Sequence, residues 1–318
     1  MQLDAATQAF LDMLRSGGGK PLRELPIPEV RAAMRGLSQQ ACGPLPDVHR
    51  IVNRTIPAGT HEIGVRIYFP RSANGHALPI VLHYHGGGFV GGDLDSHDMP
   101  ARYYSRHADA MVIAVDYRLA PEHRFPAAVD DSYAALLWAH KNAQDLGADP
   151  ARIAVVGDSA GGNLSAVVSQ MAKNRRGARI AFQALVYPTT DFGDRPEYAS
   201  REMFGGGDYF LSRADMDWFK AMYLTSEADA ADPRASPAAA RDLSDLPSAL
   251  VVTAGFDPLH DEGKAYADRL AEADVPVEYR CFETTVHAFT SFGGAIPTGL
   301  EGLAFIAERL RKALHAGV

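Results

Sequence analysis

The residues Gly157–Gly161 read Gly-Asp-Ser-Ala-Gly and fit the pattern G-x-S-x-G. They come where the apolar segment ARIAVVG runs into the helical segment NLSAVVSQ. A serine on a tight strand-to-helix turn projects outward, and small residues two positions to either side let the chain bend sharply. The helix that follows directs its N-terminal dipole at the same point. The pattern therefore predicts Ser159 as a nucleophile; the alternative is a turn whose serine only caps the helix.

A second glycine-rich run, His85-Gly86-Gly87-Gly88, ends the apolar segment LPIVLHYH. Its glycines leave backbone N–H groups unshielded, so these groups can approach a developing oxyanion. The continuation to Gly91 also fits G-x-G-x-x-G, and Asp116 ends the next strand as a ribose-binding acid does, which leaves a dinucleotide-binding oxidoreductase open. Two features weaken that alternative. The following residues, 93–100, are polar and end in proline instead of opening a helix, and Ser159 stays unexplained.

A serine hydrolase also needs an acid and a base, which follow this kind of turn in the order Asp or Glu, then His. Asp257 follows the segment SALVVTAGF, and His287 follows PVEYRCFE. Both come just after the predicted carboxyl ends of parallel strands, where sites form in open α/β sheets. Each alone is an ordinary cap or loop residue, but their order favours a triad of Ser159, His287 and Asp257. Three weaker candidates lie at the start of the next predicted helix: His260, Asp261 and Glu262.

Strands and helical segments alternate from about residue 48 onward. This alternation predicts an α/β fold with a mostly parallel sheet and helices on both faces. The last strand, PVEYRCFE, is expected at or near a sheet edge. Helices are predicted at about 130–147, at 260–273 and at 299–316, with a further one in LSRADMDWFKAMYL.

Two segments do not belong to this alternation and are expected to cover the site. Residues 191–243 are too long for a simple crossover, which predicts an insertion over the carboxyl edge of the sheet. Residues 1–46 have helical spacing that Gly17–Gly19 and several prolines interrupt. We therefore divide the chain into an N-terminal part of a cap, 1–46, and a catalytic domain, 47–318, with the cap insertion at about 191–243. Aromatic residues of the insertion are expected to form its core and to line an acyl or alcohol pocket.

Composition excludes several classes of function. The 318 residues are 47% hydrophobic and 22% charged, with a formal net charge of −8. An acidic balance argues against binding nucleic acid or an anionic membrane surface. No stretch approaches the roughly 20 apolar residues of a membrane span, and the N-terminal segment lacks the basic start and apolar run of a signal peptide. Together with two cysteines, too few for a disulfide framework, these features favour a cytoplasmic protein.

No cofactor or metal ion is expected from the sequence. His83 and His85 lie on one face of a predicted strand and form a possible metal pair. No clear third ligand group follows them, and His85 already has a place in the glycine run. Cys42 and Cys281 cannot build a cysteine zinc site, so both are expected as packing residues.

The chain resembles the bacterial branch of the hormone-sensitive-lipase-like esterases, within the α/β-hydrolase fold. The resemblance runs from about residue 48 to the C-terminus, whereas the N-terminal segment matches the family's cap by position only. Two departures are small: His260 stands where the family often has arginine, and Ala288 where it usually has glycine. The segments that carry the resemblance are HGGGFVGGD, DYRLAPEHRFPAA, GDSAGGNL, DPLHDEG and HAF.

The resemblance implies a carboxylic-ester hydrolase, with an acyl-enzyme intermediate and a small ester as substrate. It implies that Ser159 attacks the ester carbonyl, that His287 transfers the proton, and that Asp257 orients His287. The N–H groups implied for the oxyanion site are those of Gly86, Gly87 and Ala160, with Gly88 left open. The segment YRLAPE is expected to brace the glycine loop.

Three expectations concern substrate, assembly and the remaining alternative. A compact aromatic cap favours short acyl chains. Relatives in the family often form dimers through the last strand and a neighbouring helix, so a homodimer is expected, although charges on that strand could equally protect a monomer. A binding or receptor protein without activity remains the other alternative on the same fold.

Overall fold

A computed structural model describes residues 2–71, 76–193 and 197–316. Eight strands within these residues form a single sheet, and we number them β1 to β8 in chain order. Their bounds are Arg50–Ala58, His61–Phe69, Leu78–Tyr84, Met111–Asp116, Ala148–Asp158, Phe182–Val186, Ser248–Phe256 and Val277–Val286.

The sheet order is β1-β2-β4-β3-β5-β6-β7-β8. The hairpin of β1 and β2 is antiparallel and joins β4 antiparallel, while every pair from β4 to β8 is parallel. The predicted mostly parallel sheet is therefore confirmed, and so is the position of the last strand at an edge. Because the carboxyl ends of β3, β5, β7 and β8 face the same way, the loops that follow them meet on one side of the sheet.

Helices lie on both faces of the sheet, as predicted. One hydrophobic cluster joins the sheet to the helices at Ala127–Asn142 and Ala160–Asn174, and another joins its opposite face to those at Asp98–Ala108 and Pro297–His315. No helix in the ranges given above is both long and apolar enough to cross a membrane. The α-helices of the described residues, α1 to α9 in order, span Ala5–Ser16, Ile27–Ala41, Asp98–Ala108, Ala127–Asn142, Ala160–Asn174, Ser200–Met203, Arg213–Tyr223, His260–Glu272 and Pro297–His315.

The helix predicted at 130–147 and the stretch 93–100, for which no helix is predicted, differ from the expectation, and in each a proline lies near a helix start. The helix predicted at 130–147 begins earlier, at Ala127 directly after Pro126, and ends earlier, at Asn142. Helix α3 begins at Asp98, with Pro100 in its first turn. Proline is tolerated there because the first N–H groups of a helix have no intrahelical acceptor. The glycine run therefore does not itself open the helix, which the dinucleotide motif requires.

Candidate active site

Ser159 lies on the turn between β5 and α5, where the sequence predicts a nucleophile elbow. Its backbone has φ 54° and ψ −116°, a conformation that costs free energy for a residue with a side chain. The Ser159 N–H donates to the Val186 carbonyl at 2.8 Å, and the Ser159 carbonyl accepts from Asn163 at 3.0 Å. Gly161 permits the close crossing of strand and helix, since a Cβ there would lie 1.9 Å from the Tyr84 carbonyl oxygen. The strained turn is thus held by bonds on both sides.

The three residues proposed from sequence as a triad form a continuous chain of hydrogen bonds. Ser159 Oγ lies 3.0 Å from His287 Nε2, and His287 Nδ1 lies 2.7 Å from Asp257 Oδ2. Asp257 is fully buried, and its other oxygen accepts the Leu259 N–H at 2.9 Å. The carboxylate therefore has a fixed direction, and it orients the imidazole whose other nitrogen faces the serine.

The weaker candidates at the start of α8 are engaged elsewhere. His260 Nδ1 lies 2.9 Å from Asp261 Oδ1, so these two side chains pair with each other. Glu262 is buried, and burial raises its pKa to about 7, against the opposing effect of Arg201. Arg201 Nε donates to Glu262 Oε2 at 3.0 Å and ties α6 to α8. These contacts fix the loop after β7, from which Asp257 projects.

The glycine loop after β3 differs from the expectation at one position. The Gly86 N–H donates to Asp158 Oδ1 at 3.0 Å, which directs it into the protein interior. Gly87 and Gly88 line the cavity instead, and their N–H groups have no acceptor within the described parts of the chain. A buried carboxylate already accepts the hydrogen bond of the Gly86 N–H. The expectation that Gly86 contributes to the oxyanion site is therefore corrected. The Ala160 N–H, at the first position of α5, also has no acceptor among those residues.

The structure shows how the segment 117–122 braces the glycine loop. The Ala120 N–H donates to the Phe89 carbonyl at 2.8 Å. Arg31, on α2, joins both segments: its guanidinium donates to the Val90 carbonyl at 2.9 Å and to the Ala120 carbonyl at 3.1 Å. Sequence reasoning missed Arg31, because a single arginine in an amphipathic helix has the spacing of an ordinary exposed residue.

A cavity of about 530 Å³ opens above Ser159 and His287. Residues from segments 1–46 and 191–243 line it, among them Met34 of α2 and Phe219 of α7. The Phe219 ring lies directly over Gly88. The volume is typical of a site for a small organic molecule. The substrate carbonyl would therefore meet the serine beneath a largely apolar cover.

The aromatic residues of the insertion divide between the two expected roles. Phe210 and Phe219 line the cavity. Tyr223 is fully buried and stacks on Phe89 with ring centroids 3.8 Å apart. Phe204 packs in a core cluster with Phe10 and other residues of the N-terminal segment. Core packing and pocket lining are thus both present, as predicted.

The histidine pair on β3 is enclosed by the protein. Burial lowers the pKa of His83 to about 3 and the pKa of His85 to about 4, so both are neutral near pH 7. His85 stacks on Tyr117, with ring centroids 4.2 Å apart. In the part of the chain that the structure describes, no group of three or more His, Cys, Asp or Glu side chains is arranged to hold a metal ion.

A serine elbow whose histidine and buried aspartate follow later parallel strands is the arrangement of the α/β hydrolases. A family model described as the alpha/beta hydrolase fold matches residues 81–291. The chain belongs to this family, in the hormone-sensitive-lipase-like branch that the resemblance implied.

Proteins similar to this chain are ester hydrolases. The carboxylic ester hydrolase LipN of Mycobacterium tuberculosis is 45% identical over 282 residues, which cover 86% of this chain and 73% of LipN. An ester hydrolase from the Lake Arreo metagenome, solved with a bipyridine phosphonate derivative, is 41% identical with a TM-score of 0.93 and covers 98% of each chain. A hyperthermophilic esterase from Pyrobaculum calidifontis is 38% identical with a TM-score of 0.93, covering 98% of this chain and 99% of that one.

Proposed function

We propose that this chain is a serine carboxylic-ester hydrolase that acts on small esters through an acyl-enzyme intermediate. The observation that carries the proposal is the hydrogen-bonded series Ser159–His287–Asp257 at the floor of a mostly apolar cavity. Relatives named esterase and carboxylesterase support it. The intact series and these relatives also favour an enzyme over a receptor on the same fold.

In the proposed reaction, Ser159 Oγ attacks the ester carbonyl carbon and its proton passes to His287 Nε2. The tetrahedral intermediate collapses when His287 returns this proton to the departing alcohol, which leaves an acyl group on Ser159. A water molecule then attacks the acyl carbonyl, again giving a proton to His287, and the carboxylic acid leaves as the serine recovers its proton. Asp257 stabilises the imidazolium form that exists in each half of the reaction.

We propose that the N–H groups of Gly87, Gly88 and Ala160 bind the oxyanion, with Gly88 in place of Gly86. Gly87 and Gly88 line the cavity beside Ser159, and all three N–H groups lack an acceptor among the described residues. Donors fixed where negative charge develops stabilise the transition state more than the substrate. One such donor typically contributes about 10²- to 10³-fold in rate.

The proposal is tested by measuring how fast the purified chain hydrolyses phenyl acetate, with and without prior treatment with a serine-directed phosphonate. Hydrolysis that stops in proportion to covalent labelling of Ser159 is expected. Binding of the ester without release of alcohol would contradict the proposal and favour the receptor alternative.

Short acyl esters are the proposed substrates. Residues of the segments 1–46 and 191–243 line the cavity, and the rings of Phe210 and Phe219 are among them. A relative named ethyl acetate hydrolase, from Pseudomonas putida, is 37% identical over 99% of this chain and supports a small acyl group.

We expect kcat/KM across a series of nitrophenyl esters to be highest for acetyl to butyryl groups. Acyl chains that no longer fit beneath the proposed cap should react at least about tenfold more slowly, because a pocket of limited size disfavours added methylene groups. Each ester is measured below its solubility limit, and an emulsified long-chain triglyceride serves as the comparison. Faster turnover of the emulsion than of the short esters would contradict the preference.

A homodimer through β8 is the proposed assembly. This strand is at the sheet edge, so one side of its backbone has no neighbouring strand within the described residues. Glu278 and Arg280 are exposed, and Glu278 pairs with Arg309 of α9 at 2.9 Å. Edge strands of this kind pair readily with a second copy across a two-fold axis.

Light scattering at micromolar concentration is expected to give twice the single-chain mass of 34.3 kDa. Dilution should shift the mass toward the monomer, because association depends on concentration. A mass of one chain at all concentrations would mean that the charges on β8 protect the edge.

We also propose a cytoplasmic location and a reaction that needs no cofactor. Cys42 and Cys281 are both free thiols, which fits the cytoplasmic location predicted from sequence. The proposed reaction uses only the side chains and backbone groups named above together with water, so no cofactor takes part in it.

A further inference from the structure

Asp158, the residue before Ser159, is a buried carboxylate that the proposed reaction does not use. Its side chain is enclosed, with the whole residue only 7% exposed. Oδ1 accepts the Gly86 N–H at 3.0 Å, and Oδ2 lies 3.4 Å from Nε2 of the buried His97. The fit at Gly86 is close, since a Cβ there would lie 2.3 Å from Asp158 Oδ2. The carboxylate thus holds the first glycine of the loop directly beside the nucleophile.

His97 is itself held in place from the opposite side. Its Nδ1 lies 2.9 Å from Ser96 Oγ, and Ser96 Oγ accepts the Asp93 N–H at 2.9 Å. The Ser96 carbonyl in turn accepts the Ser38 hydroxyl from α2. A connected series of polar contacts therefore runs from the N-terminal segment through His97 and Asp158 to Gly86.

The anchor at Gly86 limits the conformation of the next two peptide groups. Glycine has the widest choice of backbone conformation, so three in succession would otherwise leave the loop poorly defined. A hydrogen bond to a charged acceptor is about twice as strong as one between neutral groups. Because Gly86 is anchored inward by such a bond, Gly87 and Gly88 are left to direct their N–H groups into the cavity.

The Asp158 carboxylate lies close to the reacting serine. A carboxylate next to Ser159 repels the negative charge that forms on the substrate oxygen. Burial disfavours the charged form, but the charge and hydrogen bond of His97 lower the pKa of Asp158 to about 2. Asp158 is therefore ionised at neutral pH. Nε2 of His97 lies 3.4 Å from Asp158 Oδ2 and 3.3 Å from the Gly86 nitrogen, so His97 packs against both partners of this contact. His83 and His85, in the same cluster, are neutral near pH 7.

We propose that Asp158 and His97 are positioning residues for the oxyanion site. Asp158 anchors Gly86 so that the N–H groups of Gly87 and Gly88 face the substrate carbonyl, and His97 holds the Asp158 carboxylate in place at its other oxygen. The inference rests on the proposed ester hydrolysis and deepens it.

The test compares the kinetics of four variants: Asp158→Ala, Asp158→Asn, His97→Leu and the double variant His97→Leu/Asp158→Asn. Asp158→Ala should lower kcat about 10²-fold and change KM by less than about threefold, because the lost interaction acts in the transition state. Asp158→Asn keeps an oxygen that accepts the Gly86 N–H, so its kcat should stay within about tenfold of the parent. His97→Leu removes only the contact at Asp158 Oδ2, so its kcat should fall between those of the parent and Asp158→Ala, and the double variant should be no faster than His97→Leu.

A second readout separates positioning from simple stability. A trifluoromethyl ketone adds to the serine and forms a tetrahedral oxyanion, so its affinity should fall in parallel with kcat across the variants. His83→Asn is the matched control: His83 is buried in the same cluster, and no hydrogen bond among the described residues joins its side chain to the glycine loop. This substitution should lower the melting temperature, while kcat stays within about threefold of the parent value.

Three results would overturn the inference: an Asp158→Ala variant with parental kcat, ketone affinities that do not follow kcat, or a His83→Asn variant as slow as Asp158→Ala. If Asp158→Ala does not fold, Asp158→Asn, His97→Leu and the double variant still decide the question. An unmodified chain that hydrolyses no ester would contradict the proposed function instead, and the ketone affinities would still report on Asp158.

Discussion

Replacing Ser159 by alanine is expected to lower kcat/KM for ester hydrolysis by roughly 10⁴-fold or more, because residues that transfer one proton together act as a unit. The substitution removes only the hydroxyl that lies 3.0 Å from His287 Nε2. The backbone bonds that hold the elbow at Val186 and Asn163 are unaffected. The variant should therefore fold normally and still bind ester, and the measurement is single-substrate kinetics together with the melting temperature.

A second serine in the same cavity provides the control for this prediction. Ser291 lines the cavity but takes no part in the series of hydrogen bonds around His287. Ser291→Ala is expected to keep kcat/KM within about threefold of the parent. A serine-directed phosphonate should label Ser159 in the parent and nothing in Ser159→Ala. Label on another residue, or parental activity in Ser159→Ala, would show that the nucleophile is assigned wrongly.

Asp257→Asn should have the second largest effect, a loss of roughly 10³- to 10⁴-fold in kcat. The amide has nearly the same shape, and its oxygen can still accept the Leu259 N–H. Its NH₂ group, however, favours the imidazole tautomer that presents a proton to the serine instead of accepting one. The fold should be retained while the base is lost, and kcat measured with the melting temperature shows both.

Asp261→Asn is the matched carboxylate control, four positions further along the chain. Asp261 pairs with His260 and accepts the Ser200 N–H, and it has no contact with His287. We expect this variant to stay within a few-fold of the parent in kcat. If Asp261→Asn were the inactive variant and Asp257→Asn the active one, the acid of the triad would have to be reassigned to α8.

The N-terminal segment illustrates where sequence reasoning reached its limit. Its spacing is helical and is interrupted by Gly17–Gly19, and the structure has α1 and α2 on either side of these glycines. Spacing gave no sign that Arg31 reaches the carbonyl groups of Val90 and Ala120. Contacts between segments so far apart in sequence leave no local pattern, since each residue type is unremarkable in its own element.

The segment 191–243 also has a helix whose position, but not whose contacts, the sequence predicts. The helical spacing of LSRADMDWFKAMYL predicts a helix, which the structure has as α7 at Arg213–Tyr223. Sequence could not decide which aromatic residues of this segment face the cavity. Phe219 lies over Gly88 whereas Tyr223 packs on Phe89, because the approach of α7 to the glycine loop decides which side of the helix each meets.

The sequence by itself determined the class of fold, the elbow and the order of Ser159, Asp257 and His287. Apolar periodicity and turn residues are local properties of the chain, and parallel strands bring the loops at their carboxyl ends to one edge. Only the tertiary structure decided which glycine N–H groups face the cavity. The direction of the Gly86 N–H depends on a carboxylate 72 residues further along the chain, and such a hydrogen bond exists only once β3 and β5 are paired.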